Sequence, residues 1–356
     1  MSAERWVVLE PLDTVVVRDG RAFDAGVQSV ARTGPPTPGT VAGAIGAAYQ
    51  APPGAGLDPA ARGRDLPERL LGPIPVVRRE GAWSARWPVP RDVVGDDNHS
   101  APYRLTVGSA HPGTGHMPAG VQHDLGGSVA ALPGGFGDPL GGWWETDELA
   151  GYLAGGTASG DTVSAPWEVE RRVGLAIDEN GTAAEGMLYS AEHLRPAEGM
   201  GFAVCCIGGP EIELLPTVPL GGRGRCAQVH DAEPAPALPG PAASARDGQL
   251  LVYLAAPAVF GDGWRPDLSA WPGTELVTAV LGDPQVIATA TPQRRTGAVG
   301  GGRLMWAVPA GSVYYLKFAD ERAALDAAEH LRRVTLPQAR DSLATAGFGF
   351  ALTGSW

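Results

Sequence analysis

Four short turns in this 356-residue chain set arginine beside glycine or beside a second arginine. They are Arg18-Asp19-Gly20-Arg21, Arg171-Arg172, Leu220-Gly221-Gly222-Arg223-Gly224-Arg225 and Gln293-Arg294-Arg295-Thr296-Gly297. Glycine lets backbone N–H groups approach an anion closely, and guanidinium offers a planar fork matched to phosphate oxygens. Any one of these turns is as readily a solvent-facing loop. Four of them, in a chain without a hydrolytic motif, favour a surface that tracks an RNA backbone. Of 27 basic residues only Lys317 is lysine. GC-rich coding explains that count by itself, because a bidentate role needs a site and not a number.

Other chemistry is thinly supplied. There is no G-x-S-x-G elbow, no H-E-x-x-H pair and no Walker phosphate loop. His99, His111, His116 and His123 gather with Asp124 in one stretch. Their spacing matches no metal motif and glycines surround them, so a solvated loop is expected, with no metal and no cofactor. His193, His230 and His330 lack an acid–base partner at recognisable spacing. Cys205, Cys206 and Cys226 form neither a disulfide framework nor a zinc pair. Buried small hydrophobes in a reducing cytoplasm are the expectation. Trp143-Trp144, Trp83 and Trp87 suit a core or an interface, since no basic patch is interleaved with them. A protein that is not an enzyme follows from these gaps.

The elements that would carry the turns are short. With 51 glycines and 33 prolines, long helices throughout are excluded, while 44% apolar residues allow a sizeable core. Trp6 to Val17 reads as extended chain broken at Pro11-Leu12-Asp13. Thr37 and Pro38 open a helix with Gly39, Gly43 and Gly46 on a face suited to close backbone approach. Residues 73–90 read as a hairpin about Glu80-Gly81, and Thr146 to Leu153 as a short helix capped by Thr146. Three strand-like pieces fill 171–207, and the turn 220–225 precedes another. Residues 233–248 have a linker's composition. Strands restart at Gln249 and at 310–318. Residues 320–333 form a helix capped by Asp320, with Leu325, Ala328 and Leu331 on its apolar face. The net charge is −12, and residues 91–165 hold nine acids against Arg91 and Arg104. That stretch, rich in glycine, reads as an acidic, partly mobile insertion facing solvent or a basic partner. No apolar run is long enough for a membrane span, and residues 1–10 lack the features of a signal peptide. The expected class is α+β, with antiparallel sheets in two units: 1–232 carrying the insertion, then the 233–248 linker, then 249–356.

Several blocks in order resemble a known family: LEPLDTVVVRDGRAFDAG (9–26), PPTPGTVAGAIGAAY (35–49), RRVGLAID to LYSAEHLRP (171–196), PLGGRGR (219–225), LLVYLAAPAVFGDGWRP (250–266), PAGSVYYLKF (309–318) and GFGFALTGSW (347–356). They span the chain and are similar to the RAMP-superfamily subunit of type III-B (Cmr) CRISPR effector complexes that caps the 5′ end of crRNA. The resemblance implies two RRM-like, ferredoxin-type domains with glycine-rich loops and no catalysis. It implies a grip on the crRNA 5′ handle, and bridging between the large polymerase/cyclase-like subunit and the backbone RAMP subunit. It also implies a thumb-like hairpin, sought within 91–165 without a position. On that footing Gly221, Gly222 and Gly224, by their amides, and Arg223 and Arg225 would hold handle phosphates. Arg18 and Arg21 would lie on the same sheet face, and Arg171 and Arg172 would form a second clamp. Gly347 and Gly349 would support packing of the last loop. Arg223 stands where the family loop usually has an acid, and TPQRRTGAVGGGRLMW (291–306) departs from the family's pattern. The rivals are a crRNA-processing endoribonuclease, with His230 as its only candidate base, and a bridge that touches protein alone.

Overall fold

The computed structural model describes residues 4–17, 30–50, 66–95, 101–109, 128–131, 138–289 and 303–356. The first sheet starts with β1 (Glu4–Pro11), followed by α1 (Pro38–Ala48) and the hairpin strands β2 (Arg69–Arg79) and β3 (Ala82–Ala85). Then come α2 (Thr146–Leu153), a long hairpin of β4 (Trp167–Ile177) and β5 (Ala183–Pro196), and strands β6 (Met200–Ile207), β7 (Thr217–Pro219) and β8 (Cys226–Asp231). The sheet order is β7-β8-β1-β6-β2-β3, antiparallel at every pairing. The second sheet is built from β9 (Gln249–Leu254), β10 (Glu275–Val280), the side hairpin β11 (Gln285–Thr289) and β12 (Arg303–Ala307), β13 (Val313–Lys317), α3 (Glu321–Leu331), α4 (Asp341–Thr345) and β14 (Ala351–Gly354). Its order is β10-β13-β9-β14, again antiparallel, with the side hairpin outside it. The class is therefore α+β with antiparallel sheets and few helices, as the sequence suggested. Among the described residues no helix is long and apolar enough to cross a membrane.

Local chemistry explains most boundaries. Thr37 caps α1 by accepting the Thr40 N–H at 3.3 Å, and Pro38 follows with its preset φ. Asp320 caps α3 through the Ala323 N–H at 2.8 Å. The buried face of α3 is Ala324, Ala327, Ala328 and Leu331, with Leu325 at its flank. Glu80 (φ 51°) and Gly81 (φ 85°) are both left-handed, the backbone that a two-residue hairpin between right-twisted strands requires. In α2 the cap position is Glu145, and the Thr146 hydroxyl instead accepts from Trp87 Nε1 at 3.3 Å.

Residues 233–248 are not a free tether. Pro236, Pro239, Ala242, Ala245 and Gly248 are buried, one in every three residues. That is the period of a polyproline-type extended chain laid along a surface. Ala242 N–H donates to Thr353 Oγ1 at 3.2 Å, and Ala237 O accepts from Thr146 at 3.2 Å. The strap is thus tied to β14 and to α2.

The insertion also departs from expectation. Its described parts are anchored in the core, where Val93, Val94, Leu105, Trp144, Leu149, Tyr152 and Leu153 join Val8, Ile74, Leu251, Val313 and Phe350 of the two sheets, while Asp138, Asp147 and Asp161 are exposed. Apolar side chains interleaved with the acids outweigh the charge count. Asp92 is fully buried. Its carboxylate accepts from Tyr152 at 2.6 and 2.7 Å and from Tyr315 at 2.6 Å, and Arg104 Nε lies 3.4 Å away. Arg104 stacks over the Tyr152 ring at 4.4 Å and donates to Ser355 O at 3.0 Å. The four histidines and Asp124 fall outside the described residues, as does most of the glycine-rich run. The long exposed hairpin is β4–β5, beyond the 91–165 stretch where one was sought; Val169, Val173, Leu175 and Ile177 alternate along one side of it, all exposed.

Burial pushes the Asp92 carboxyl up, while Arg104 and the two tyrosine hydroxyls oppose that shift. A raised carboxyl gives stability at low pH that is lost as pH rises through its folded value. Arg104→Met removes the compensating charge, so the carboxyl rises further. Urea unfolding is expected to show a loss of about 3 kcal/mol at pH 8. The gap to the parent protein narrows toward pH 5, where a proton replaces the guanidinium. A gap that is equal at both pH values would exclude Asp92 as the group responsible.

Candidate nucleic-acid interface

The turn 220–225 is a closed loop between β7 and β8. Leu220 N–H donates to Arg225 O at 2.9 Å. Gly221 (φ 80°), Arg223 (φ 61°) and Gly224 (φ 67°) are left-handed. A Cβ at Gly221 would stand 2.6 Å from Val16 O, so backbone contact as well as φ demands glycine there. Arg223 holds a left-handed conformation that non-glycine residues seldom adopt, and it does so at the lip of a cavity. The Gly222 amide donates to Val16 O at 2.8 Å. That N–H therefore stitches the loop to the chain after β1 and is not turned outward toward a ligand.

The arginines divide by strand alternation. Arg171 is exposed and sits 3.5 Å from Glu192, its cross-strand partner. Arg172 turns the other way, to Glu170 at 2.6 Å, and lies within 4.0 Å of Asp13. Arg225 pairs with Asp13 and Arg195 pairs with Glu170. Among the described residues Arg172, Arg195 and Arg225 share two carboxylates, Asp13 and Glu170, and Arg223 acts with Arg172 and Arg225 on the same histidine, a local concentration of positive charge inside an acidic chain. Asp13 is held below the ordinary carboxylate range by the Thr14 N–H at 2.7 Å, then by Arg225 and Arg172. Glu170 is lowered chiefly by its hydrogen bond from Arg172. Both remain ionised and hold the guanidinium groups in place.

His193 sits at the centre of this cluster and is 2% exposed. Its Nδ1 is 2.9 Å from Thr14 Oγ1, and its Nε2 has no partner. Burial first, then Arg172, Arg225 and Arg223, depress its pKa, so the ring is neutral near pH 7. His230, the histidine that the sequence singled out, instead lies 2.8 Å from Glu10 and tilts against Trp83.

Beside the loop is a cavity of about 600 Å³, a volume in the range of ligand sites. Val16, Thr40, Gly43, Ala47, Gly222 and Arg223 line it, and Arg32 stands on its wall. A Cβ at Gly43 would meet nothing within 4 Å. This glycine keeps a hollow open; it does not let a neighbouring backbone come close, as its helical spacing had suggested. Gly347 does support packing, since a Cβ there would strike the backbone of Gly72.

Of the sequence-derived candidates, Arg172, Arg223, Arg225, Gly221, Gly222 and Gly224 come together. Arg171 reaches the cavity only through Glu192, which lines it. Arg18, Arg21, Arg294 and Arg295 lie outside the described residues. Sequence reasoning missed Arg32, Asp13, Glu170, Arg195 and His193. The β4–β5 register, which sets Glu170 opposite His193, is the signal that would have found most of them.

The described residues thus show an antiparallel α+β fold with a cationic glycine loop beside a ligand-sized hollow. A family model described as CRISPR-associated protein (Cas_Cmr3) matches residues 7–356, and the chain belongs to that family, a subunit type of type III-B Cmr complexes. Among solved structures, the chain is similar to one in "Cryo-EM structure of the Type III-B Cmr-beta bound to cognate target RNA and AMPPnP, state 1", with 14% identity, TM-score 0.49, and coverage of 92% of this chain and 89% of that one. A second similar chain, from the Type III-B Cmr-beta bound to cognate target RNA, has 13% identity and TM-score 0.47 over 92% and 89% of the two chains. No curated protein matches the sequence.

Two outcomes test the geometry. Gly221→Ala is expected to cost about 2 kcal/mol, measured by chemical denaturation, because the new methyl meets Val16 O at a left-handed φ; a loss within about 0.5 kcal/mol would mean that the loop is free to shift. A depressed histidine contributes stability that is present above its unfolded value and lost as pH falls. Thermal melts between pH 7 and 5 should therefore show a shallower decline for His193→Gln than for the parent protein.

Proposed function

We propose that this protein is a non-catalytic subunit that holds the 5′ handle of crRNA and joins neighbouring subunits of a type III-B effector complex. The observation that carries the reading is the 220–225 loop. It sets Arg223 over a hollow, beside three guanidinium groups that share two carboxylates. Phosphates of a single strand suit that arrangement, with Arg223 and Arg225 as first contacts and Arg172 behind them. The Gly221 and Gly224 amides remain candidates for the same anion, while Gly222 acts structurally. Arg18 and Arg21, which follow β1, belong to the same reading.

The strand orders support two RRM-like units. Taking β1, β2, β6 and β8 as strands one to four, the first sheet runs 4-1-3-2, and β9, β10, β13 and β14 run the same way. The first unit keeps the helix after strand one, α1. The second keeps the helix before strand four, α3. In this reading 1–232 and 249–356 are the two domains, and the 233–248 strap joins them. The exposed β4–β5 hairpin is the candidate for the thumb-like element. The large polymerase/cyclase-like subunit and the backbone RAMP subunit are the proposed protein partners.

Retention of crRNA by the assembled complex tests this reading. Replacing both Arg223 and Arg225 by alanine is expected to weaken retention near-uniformly across handle sequences and to lower the salt slope by about two. Unchanged retention with an unchanged slope would leave a bridge that touches protein alone. The isolated chain is expected to leave repeat RNA uncut, with or without divalent metal; cleavage abolished by His193→Ala or His230→Ala would make it a nuclease.

A further inference from the structure

A second cavity, of about 460 Å³, opens between the two sheets. Its aromatic lining is Trp143, Trp167 and Phe202. Trp143 meets Trp167 edge-on at 5.1 Å, and Trp167 tilts against Phe202 at 6.3 Å. Both tryptophans are half-buried, so part of each ring stays open to the cleft. Pro73, Pro75, Pro88, Pro257 and Pro309 line much of the rest and have no N–H to offer, while Thr33, Thr37 and Gln285 add polar side chains.

Two cations border this apolar space. Arg32 and Arg91 line it, and no carboxylate among the described residues pairs with either. Arg91 Nε is buried without a hydrogen-bond partner, a state that normally awaits a ligand or water. Val17 and Arg32 also line the hollow beside the glycine loop, so the two cavities adjoin at these residues. Aromatic faces with flanking guanidinium groups suit a nucleobase and its phosphate, because every base has a π-face and stacking needs no particular hydrogen-bond pattern.

We infer that the cleft between the sheets takes one unstacked base of single-stranded RNA, packed against Trp143 and Trp167, with its phosphate on Arg91. The inference rests on the reading that the 220–225 loop carries RNA, and it extends the path of that strand past Arg32 into a separate site. With Thr33, Thr37 and Gln285 as the uncharged polar side chains on walls that are otherwise mainly apolar, stacking is the main contact offered to the base. Arg32, shared by both cavities, holds the phosphate between them.

An abasic scan tests the inference without altering the protein. The assembled complex is loaded with fluorescent crRNAs in which one handle nucleotide at a time lacks its base, and dissociation is followed. One position is expected to lose about tenfold in retention, in line with the worth of one base–aromatic stack. In that position Trp143→Ala weakens the intact RNA by a similar factor and leaves the abasic RNA unchanged. Arg91→Gln lowers retention of both RNAs and reduces the salt slope by about one. A flat scan, with the Arg223 and Arg225 double variant still impaired, overturns the cleft site and leaves the loop reading standing. A flat scan in which Trp143→Ala releases a protein subunit assigns the cleft to a polypeptide and overturns the inference too.

Discussion

A carboxylate taken out of water at the meeting of two sheets is the constraint on which the rest of this molecule depends. Asp92 is tolerated in the core only because every group around it is present at once. Tyr152 comes from α2, Tyr315 from β13, and Arg104 from a strand of the insertion that also reaches the last residues of the chain. Removing any one strands a charge or a hydroxyl in an apolar interior, where an unpartnered polar group is expensive. The network therefore selects one arrangement of the sheets and penalises near alternatives.

Charge in this protein is a local matter. The total of −12 says little about what any one surface attracts, because exposed charges act over about a Debye length, roughly 8 Å at physiological ionic strength. Asp92 is spent in the core, and Glu145 lies 2.8 Å from Arg79 and 3.0 Å from Arg86. Asp13 and Glu170 serve as struts for the arginines around the loop. An acidic chain thus presents a cationic patch without a broad basic field.

The sequence disclosed the elements that obey short-range rules. Thr37-Pro38 and Asp320 marked helix starts, Glu80-Gly81 marked a turn, and the 220–225 loop was recognised by its glycines. What escaped it needed long-range pairing. Asp92 looked like one acid among nine, since nothing adjacent reveals that tyrosines 60 and 223 positions away will close over it. His193 had no partner at readable spacing because Thr14 lies across a strand pairing. The 233–248 strap carries a linker's composition, and its three-residue burial period only acquires meaning once there is a groove to lie in. Strand alternation was legible in principle, and it would have separated Arg171 from Arg172.

The connection between β6 and β8 has a consequence for shape. In the first sheet that connection is an extended run ending in the glycine loop, where the second sheet has α3. Among the described residues the flank of α1 bearing Thr40, Gly43, Ala44 and Ala47 consequently borders a hollow and not a second helix. The hollow is thus subtractive among the described residues: no element covers that flank, and its small side chains do not fill the gap. Part of its wall, Val16, Ala44 and Ala191, is buried, while Arg32, Gly43 and Arg223 form its exposed rim. Bulk added along that one helical stripe would erase the hollow while leaving every guanidinium where it is, so that the volume and the charge of the site can vary separately.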